Sequence, residues 1–198
     1  MFVKVCGLST PESVREAVSA GADAVGFVLT ASPREVSPET VRSLLPLVPS
    51  DIAAVGVFRH ETAAHAIALA QAAGLSWVQL HGHRTAADVE AVHDAGLRLI
   101  RAVTMGASPE EFGDLGEELF LIDAAVPGSG EAWNYASVRG KGLEGRSWLL
   151  AGGLEPGNVA AAASAAGAWG VDVSSGVESS RGVKDLAKVR AFVEAAKA

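Results

Sequence analysis

The stretch FVKVCGLSTPESVREAVSAGADAVGFV, residues 2–28, decides the fold. It opens on an apolar run, Phe2-Val3-Lys4-Val5-Cys6, that reads as a strand, then passes through Gly7 to a helix signal at Ser9-Thr10-Pro11-Glu12. Proline is tolerated in a first helical turn, where its missing N–H has no intrahelical partner to lose. Val14, Ala17 and Val18 recur at helical spacing up to Gly21, a residue able to take the left-handed conformation that ends a helix. A second apolar run, Ala22 to Val28, follows at once. Strand, helix, strand in strict succession gives parallel strands.

The same unit recurs along the chain. Ile52–Phe58, Trp77–Leu80, Leu97–Ile100, Leu119–Ile122, Trp148–Ala151 and Trp169–Val173 bring the strands to eight, the number a closed parallel barrel requires. Gly74, Gly96 and Gly167 repeat the role of Gly21, and Pro38, Pro109 and Pro156 that of Pro11; Ile67, Ala70 and Gln71 carry helical spacing before Gly74. The expected fold is therefore α/β, a single (β/α)8 TIM barrel in which residues 1–198 form one domain. A doubly wound open sheet would show the same periodicity. The poorest helical pattern is Ser108–Gly116, where only Phe112 and Leu115 are apolar anchors.

Composition narrows the function. With 198 residues, 49% of them hydrophobic, the chain can bury a sizeable core. MFVKVCGL reads as a first strand and not as a signal peptide. The Ala-rich run near Ala160 is broken by Ser164 and Gly167, so no stretch reaches the roughly 20 apolar residues of a membrane span. One cysteine excludes an intramolecular disulfide and fits a reducing, cytoplasmic location. A net charge of −7 argues against a nucleic-acid partner, so an anionic ligand must be held locally, by arginines and helix-start N–H groups. Monomer and homodimer are equally open.

Barrels of this kind carry their chemistry at the strands' C-terminal ends. There the sequence places Cys6, Arg34, His81, Asp123, Gly152-Gly153 and Asp172 to Gly176, with no comparable set at the opposite ends. A free cysteine is usually a small buried hydrophobe, but one at a strand end is placed to react. Asp123 should be partly desolvated, which raises a carboxyl pKa toward the range of a general acid. The glycine-rich Gly128-Ser129-Gly130 beyond it could fold over a ligand. Gly152, Gly153, Ser174 and Gly176 lie in the loops after strands seven and eight, the usual phosphate cradle of the fold, with a helix expected to open at Pro156-Gly157-Asn158. Arg34, in a loop stiffened by Pro33 and Pro38, has a planar fork suited to a carboxylate. His81-Gly82-His83 has the form of a metal pair, yet no partner group has convincing spacing, and no metal is expected. His65 and His93 fall in helices and should face solvent. Lys4 shares the inward parity of Cys6, which raises a Schiff-base aldolase as a competing reading, although the amine should lie too deep to react.

These segments, KVCGL, GADAVGFV, SPREVSPE, VGVF, VQLHG, LIDA, LLAGGL with PGNV, and GVDVSSGVE with RGVKD, resemble the phosphoribosylanthranilate isomerases of tryptophan biosynthesis, in that family's order and nearly end to end. The resemblance implies an Amadori rearrangement of a phosphosugar-anthranilate substrate without metal or cofactor. It assigns Cys6 as general base, Asp123 as general acid, Arg34 to the anthranilate carboxylate and Asp172 to a place near the ribose. It leaves His81 among the substrate-binding residues and Gly152, Gly153, Ser174 and Gly176 in the phosphate loops. As a base Cys6 must ionise, so the site is expected to lower its pKa below the ordinary value of about 8.5. A related phosphosugar isomerase acting on the histidine-pathway aminoaldose would use similar phosphate loops, but that family resembles a two-aspartate pattern, with Asp in place of Cys6. The chain departs from its family after Asp123: the loop PGSGEAWNY is shorter than usual, Asn134 stands where Asp is common, and His83-Arg84 replaces an acidic pair.

Overall fold

The computed structural model describes residues 1–125 and 132–198. Eight parallel strands, β1 (Phe2–Cys6), β2 (Ala24–Val28), β3 (Ala53–Phe58), β4 (Trp77–His81), β5 (Arg98–Thr104), β6 (Leu119–Asp123), β7 (Trp148–Leu150) and β8 (Gly170–Val173), close into a barrel. Closure is explicit in the pairing of β1, whose Lys4 stands opposite Ala24 of β2 and also opposite Asp172 of β8. That double pairing excludes the open sheet. A short antiparallel hairpin, β9 (Glu178–Ser180) with β10 (Val183–Lys184), follows β8 and lies outside the barrel.

Strand alternation sends successive side chains to opposite faces, and the structure sorts them into two apolar layers. Ala24, Val55, Ile100, Leu121 and Leu149 fill the barrel interior below Cys6. Val3, Val25, Phe27, Val78, Leu99, Phe120 and Val171 point outward and meet the helices. The helices are α1 (Pro11–Ala20), α2 (Pro38–Leu44), α3 (Ala63–Ala73), α4 (Ala86–Asp94), α5 (Val159–Ala166) and α6 (Leu186–Lys197). Gly21, Gly74, Gly96 and Gly167 all take positive φ where these helices end. The face α3 buries is Ala63, Ala66, Ala70 and Ala73, while Gln71 is exposed. None of the helices is long and apolar enough to cross a membrane among the described residues.

Two expected helix boundaries differ. α5 begins at Val159, because Asn158 Oδ1 accepts from the N–H of Glu155 at 2.8 Å and folds Pro156-Gly157 into the preceding turn. Ser108–Gly116 holds only one 3₁₀ turn, Pro109–Phe112, and β6 is followed by another, Tyr135–Val138. The physical reason for the first is an arginine pair. Arg101, on the outer face of β5, donates to the carbonyls of Glu111 (2.7 Å) and Gly113, and Arg146 donates to that of Phe112 (2.7 Å). Carbonyls that would have closed helical turns are thus taken by guanidinium groups. Both arginines stack on Phe120, at 4.6 Å, and both pair with Glu117, whose side chain is 1% exposed.

Glu117→Ala should therefore leave two guanidinium groups facing each other without a counter-charge, one of them buried. A loss of about 3–5 kcal/mol in urea-unfolding stability is expected. A loss below about 1 kcal/mol would mean that the arginines hold the segment without their carboxylate.

Candidate active site

Inward-facing positions at the C-terminal ends of the strands converge on a cavity of about 220 Å3, lined by Cys6, Arg34, Arg59, Gln79, His81, Asp123, Asp172, Ser174 and Arg181. A smaller cavity of about 50 Å3 adjoins it between the β7 and β8 loops, lined by Gly152, Gly153, Ser174 and Ser175 and sharing Asp123 and Asp172. A larger cavity, about 530 Å3, opens at the opposite barrel mouth around Phe2, Trp77, Arg98 and Trp169, and it contains none of the expected site residues.

Cys6 has room because its neighbour across the sheet is Gly26; a Cβ there would stand 2.9 Å from Sγ. Burial pushes the thiol up, more than the cations of Lys4 and Lys184 draw it down, and Asp172 pushes the same way as burial. This corrects the expectation that the site lowers it, since desolvation outweighs the nearby positive charge. Two residues below, fully buried Lys4 places Nζ 2.9 Å from Asp172 Oδ1. Burial works against the Lys4 charge, but Asp172 and Cys6 together outweigh it and hold the ammonium above its ordinary value. Fully buried and ion-paired to Asp172, Lys4 offers no free amine to a carbonyl, which counts against the aldolase reading.

Asp123 sits at the end of β6, and burial raises its carboxyl to about 6, against the lowering effect of a 2.8 Å bond from the N–H of Ala124. The neighbouring position, Gly152, tolerates no side chain: a Cβ would fall 2.5 Å from the Ala124 nitrogen and 2.8 Å from Asp123 Oδ1. Trp133 Nε1 donates to the carbonyls of Ala151 and Gly152, both at 3.2 Å, and Tyr135 OH donates to that of Gly152 at 3.2 Å. The aromatic pair flanking Asn134 thus fastens the β7 loop beside the carboxyl, while Asn134 itself is exposed. Gly128-Ser129-Gly130 lies outside the described residues.

The two glycine loops touch, since a Cβ on Gly176 would overlap the carbonyl of Leu154. Lys184 Nζ donates to the Ser174 carbonyl at 2.7 Å and to Glu178 Oε1 at 2.9 Å, bringing a cation to the loop after β8. Arg34 is not an open fork. Its Nε and Nη2 donate to the two oxygens of Glu178 at 2.6 and 3.0 Å. Burial opposes the Glu178 charge, yet Arg34 and Lys184 together hold that carboxyl at about 2. Nη1 is the edge of Arg34 left for another anion.

His81 is half-buried and its pKa falls to about 3, chiefly through desolvation, so the ring is neutral; its Nε2 lies 2.7 Å from Gln79 Nε2. His83 is exposed and lies 3.9 Å from Glu111, so the two histidines of the motif occupy different surroundings. His65 and His93 are exposed, as expected. Sequence reasoning missed Gln79, Glu178, Lys184, Arg59 and Arg181. Gln79 had a visible signal, a polar residue of inward parity between Val78 and Leu80, two positions before His81. The others lie in connections whose path the strand pattern does not reveal.

Residues 3–195 match the family model described as N-(5'phosphoribosyl)anthranilate (PRA) isomerase. An N-(5'-phosphoribosyl)anthranilate isomerase from Streptococcus pneumoniae (strain Taiwan19F-14) is 38% identical over 195 residues, covering 98% of this chain and 95% of the relative. Among solved structures, TrpF from Jonesia denitrificans is 46% identical with a TM-score of 0.88, covering 100% of this chain and 97% of that one. A phosphoribosyl anthranilate isomerase in complex with reduced 1-(o-carboxyphenylamino)-1-deoxyribulose 5-phosphate is 30% identical, with a TM-score of 0.86 and coverage of 100% and 98%.

The raised carboxyl of Asp123 has a measurable consequence for stability. A group whose pKa rises from 3.8 to about 6 on folding stabilises the fold below the lower value, and that contribution is lost as pH climbs through the upper one. Asp123→Asn keeps the acceptor oxygen and removes the buried charge. At about pH 7.5 the variant should be more stable than the parent by about 3 kcal/mol, with the gap closing below about pH 4. A gap that does not depend on pH in denaturant titrations would show that the carboxyl is not raised.

Proposed function

The chain belongs to the N-(5'-phosphoribosyl)anthranilate isomerase family, and from that premise we propose how its residues divide the reaction, with Asp123 as general acid and Cys6 as general base. The protein isomerises N-(5-phosphoribosyl)anthranilate to 1-(2-carboxyphenylamino)-1-deoxyribulose 5-phosphate, an Amadori rearrangement of tryptophan biosynthesis. The observation that supports the division is the shared cavity: Cys6 from β1 and Asp123 from β6 line one space, and the glycine loops of β7 and β8 open from it.

Opening the furanose breaks the bond between C1 and the ring oxygen. Asp123 delivers a proton to that oxygen while the nitrogen lone pair forms the C=N bond of a protonated Schiff base. A carboxyl with a pKa of about 6 is well matched to this step, being protonated often enough near neutral pH and acidic enough to give the proton up. The Schiff base makes the C2 proton acidic. The Cys6 thiolate removes it, leaving an enolamine, which becomes the ketone as C1 gains a proton and the hydroxyl on C2 loses one. Because burial favours the thiol, the active enzyme is the minor form with Asp123 protonated and Cys6 ionised. The ammonium groups of Lys4 and Lys184 keep that form accessible.

Gly152, Gly153, Ser174 and Gly176 hold the phosphate on backbone N–H groups and the Ser174 hydroxyl, with Lys184 supplying charge behind them. Asp172 and His81 line the sugar, and Arg34 meets the anthranilate carboxylate through Nη1 while Glu178 fixes its plane. Remote phosphate binding then holds C1 and C2 between acid and base. A cytoplasmic location and a small-molecule phosphate substrate complete the reading.

Cys6→Ser is expected to lower turnover by at least 10²-fold while competitive inhibition by inorganic phosphate is retained. Near-normal turnover would remove Cys6 from the role of base. Arg34→Ala should weaken the carboxylate-bearing substrate far more than inorganic phosphate, and equal losses would remove Arg34 from the carboxylate.

A further inference from the structure

Gln79 is a buried polar residue that the acid–base scheme does not use. It lies on β4 with inward parity, its side chain 1% exposed, and it lines the larger cavity with Cys6 and Asp123 but not the small cavity between the glycine loops. Its amide nitrogen is 2.7 Å from His81 Nε2; an amide NH2 can only donate, so this contact requires the His81 tautomer that carries its proton on Nδ1 and accepts at Nε2. This fixes the other end of the amide. Oε1 is buried and has no partner among the described residues. A buried acceptor without a donor costs about 1–3 kcal/mol, so its retention on the wall of a substrate cavity points to a donor that arrives with the ligand.

The donor follows from where β4 stands. If the phosphate lies at the β7 and β8 loops, strand four is on the far side of the barrel, facing the part of the substrate remote from C5. The hydroxyls of the sugar carbons lie between phosphate and C1, next to Asp123 and Asp172. Beyond C1 the one polar hydrogen is the N–H that joins the sugar to the aromatic ring. We propose that Gln79 Oε1 accepts this N–H and that His81, as a neutral acceptor, sets the amide in the orientation to do so; the proposal rests on the substrate orientation given above.

The bond changes strength during the reaction. In the bound substrate the N–H belongs to a neutral amine, whereas after C–O cleavage the nitrogen carries the positive charge of the Schiff base. Hydrogen bonds to an ionised donor are roughly twice as strong as neutral ones. Gln79 therefore holds the charged intermediate, and the transition state leading to it, more tightly than the ground state, which raises kcat. No proton moves onto the amide: the N–H stays on nitrogen, and the proton gained by the ring oxygen comes from Asp123.

A chemical double-mutant cycle tests this. The natural substrate and its counterpart built on N-methylanthranilate, which has no N–H, are each turned over by the parent protein and by Gln79→Leu. For the natural substrate, Gln79→Leu should lower kcat by about 10- to 100-fold with inhibition by inorganic phosphate unchanged. The parent should lose a similar factor on the N-methyl substrate, and the variant should lose nothing further on it. Losses that multiply, as for independent contacts, would overturn the proposal. If Gln79→Leu does not fold, the parent and Gln79→Met decide: equal kcat of the parent on both substrates overturns the proposal, and a loss on the N-methyl substrate that Gln79→Met does not deepen upholds it. Absence of turnover by the parent on the natural substrate would instead sink the isomerase reading itself.

Discussion

Lys4 and Asp172 meet 2.9 Å apart where β1 and β8 close the barrel, and the rest of the site takes its register from that contact. The two residues stand opposite each other in the ladder, so the pair fixes which residue of β8 lies level with which residue of β1. Cys6 then projects two positions above Lys4, and Ser174 two positions above Asp172. A slip of one residue on either strand would turn that strand's own group out of the barrel. It would also separate two buried charges, and a buried charge without its partner costs several kcal/mol. The proposed base and the proposed phosphate loop are therefore tied by one ion pair at the barrel floor, not by their own contacts.

The same burial acts on the two reacting groups in opposite senses. It raises Asp123, which suits an acid working near neutral pH, and it raises Cys6, which does not suit a base. One low-dielectric cavity cannot desolvate the one and spare the other. The site answers with fixed cations on the side of the thiol: Lys4 below it and Lys184 beyond it both draw the thiol down. Each of these ammonium groups is itself matched to a carboxylate, Asp172 and Glu178 respectively. In a chain of net charge −7 the positive potential is thus local and built from paired groups, and an arriving phosphate or carboxylate meets cations already held in place.

Strands, glycine stops and the identity of the strand-end residues were legible because each depends on residues within a few positions of one another. Phe2–Cys6 followed by Ser9-Thr10-Pro11 needs no distant partner to be read. The segment after β5 was not legible as a 3₁₀ turn, because its carbonyls are taken by Arg101 and by Arg146, the latter 34 residues from Phe112. Arg34 was visible as a fork, but its occupant, Glu178, is 144 residues away. The direction of the Cys6 shift is not legible for a related reason: position at a strand end is local, whereas the balance of burial with the charges of Lys4, Asp172 and Lys184 is a property of the closed barrel. Gln79 was within reach, since strand parity alone puts it on the face of His81 and Cys6.

What unites the residues that local rules explain poorly is the cost each carries in the folded state. Asp123 is a carboxyl whose ionised form is disfavoured by its surroundings, Gln79 keeps an acceptor without a donor, and Gly152 gives up a side chain where its loop touches the carboxyl. Outside the cavity, Glu16 Oε1 and Arg101 Nε are also buried without a hydrogen-bond partner among the described residues, while local choices from the capping box at Thr10 to the alanine face of α3 agree with the fold. Departures from such consistency gather where a structure has been shaped for something other than stability. Asp123 and Gln79 share one cavity and Gly152 lines the one adjoining it, so on the proposed division of roles a ligand that supplies the donor for Gln79 and takes the proton of Asp123 would offset what these residues cost the fold.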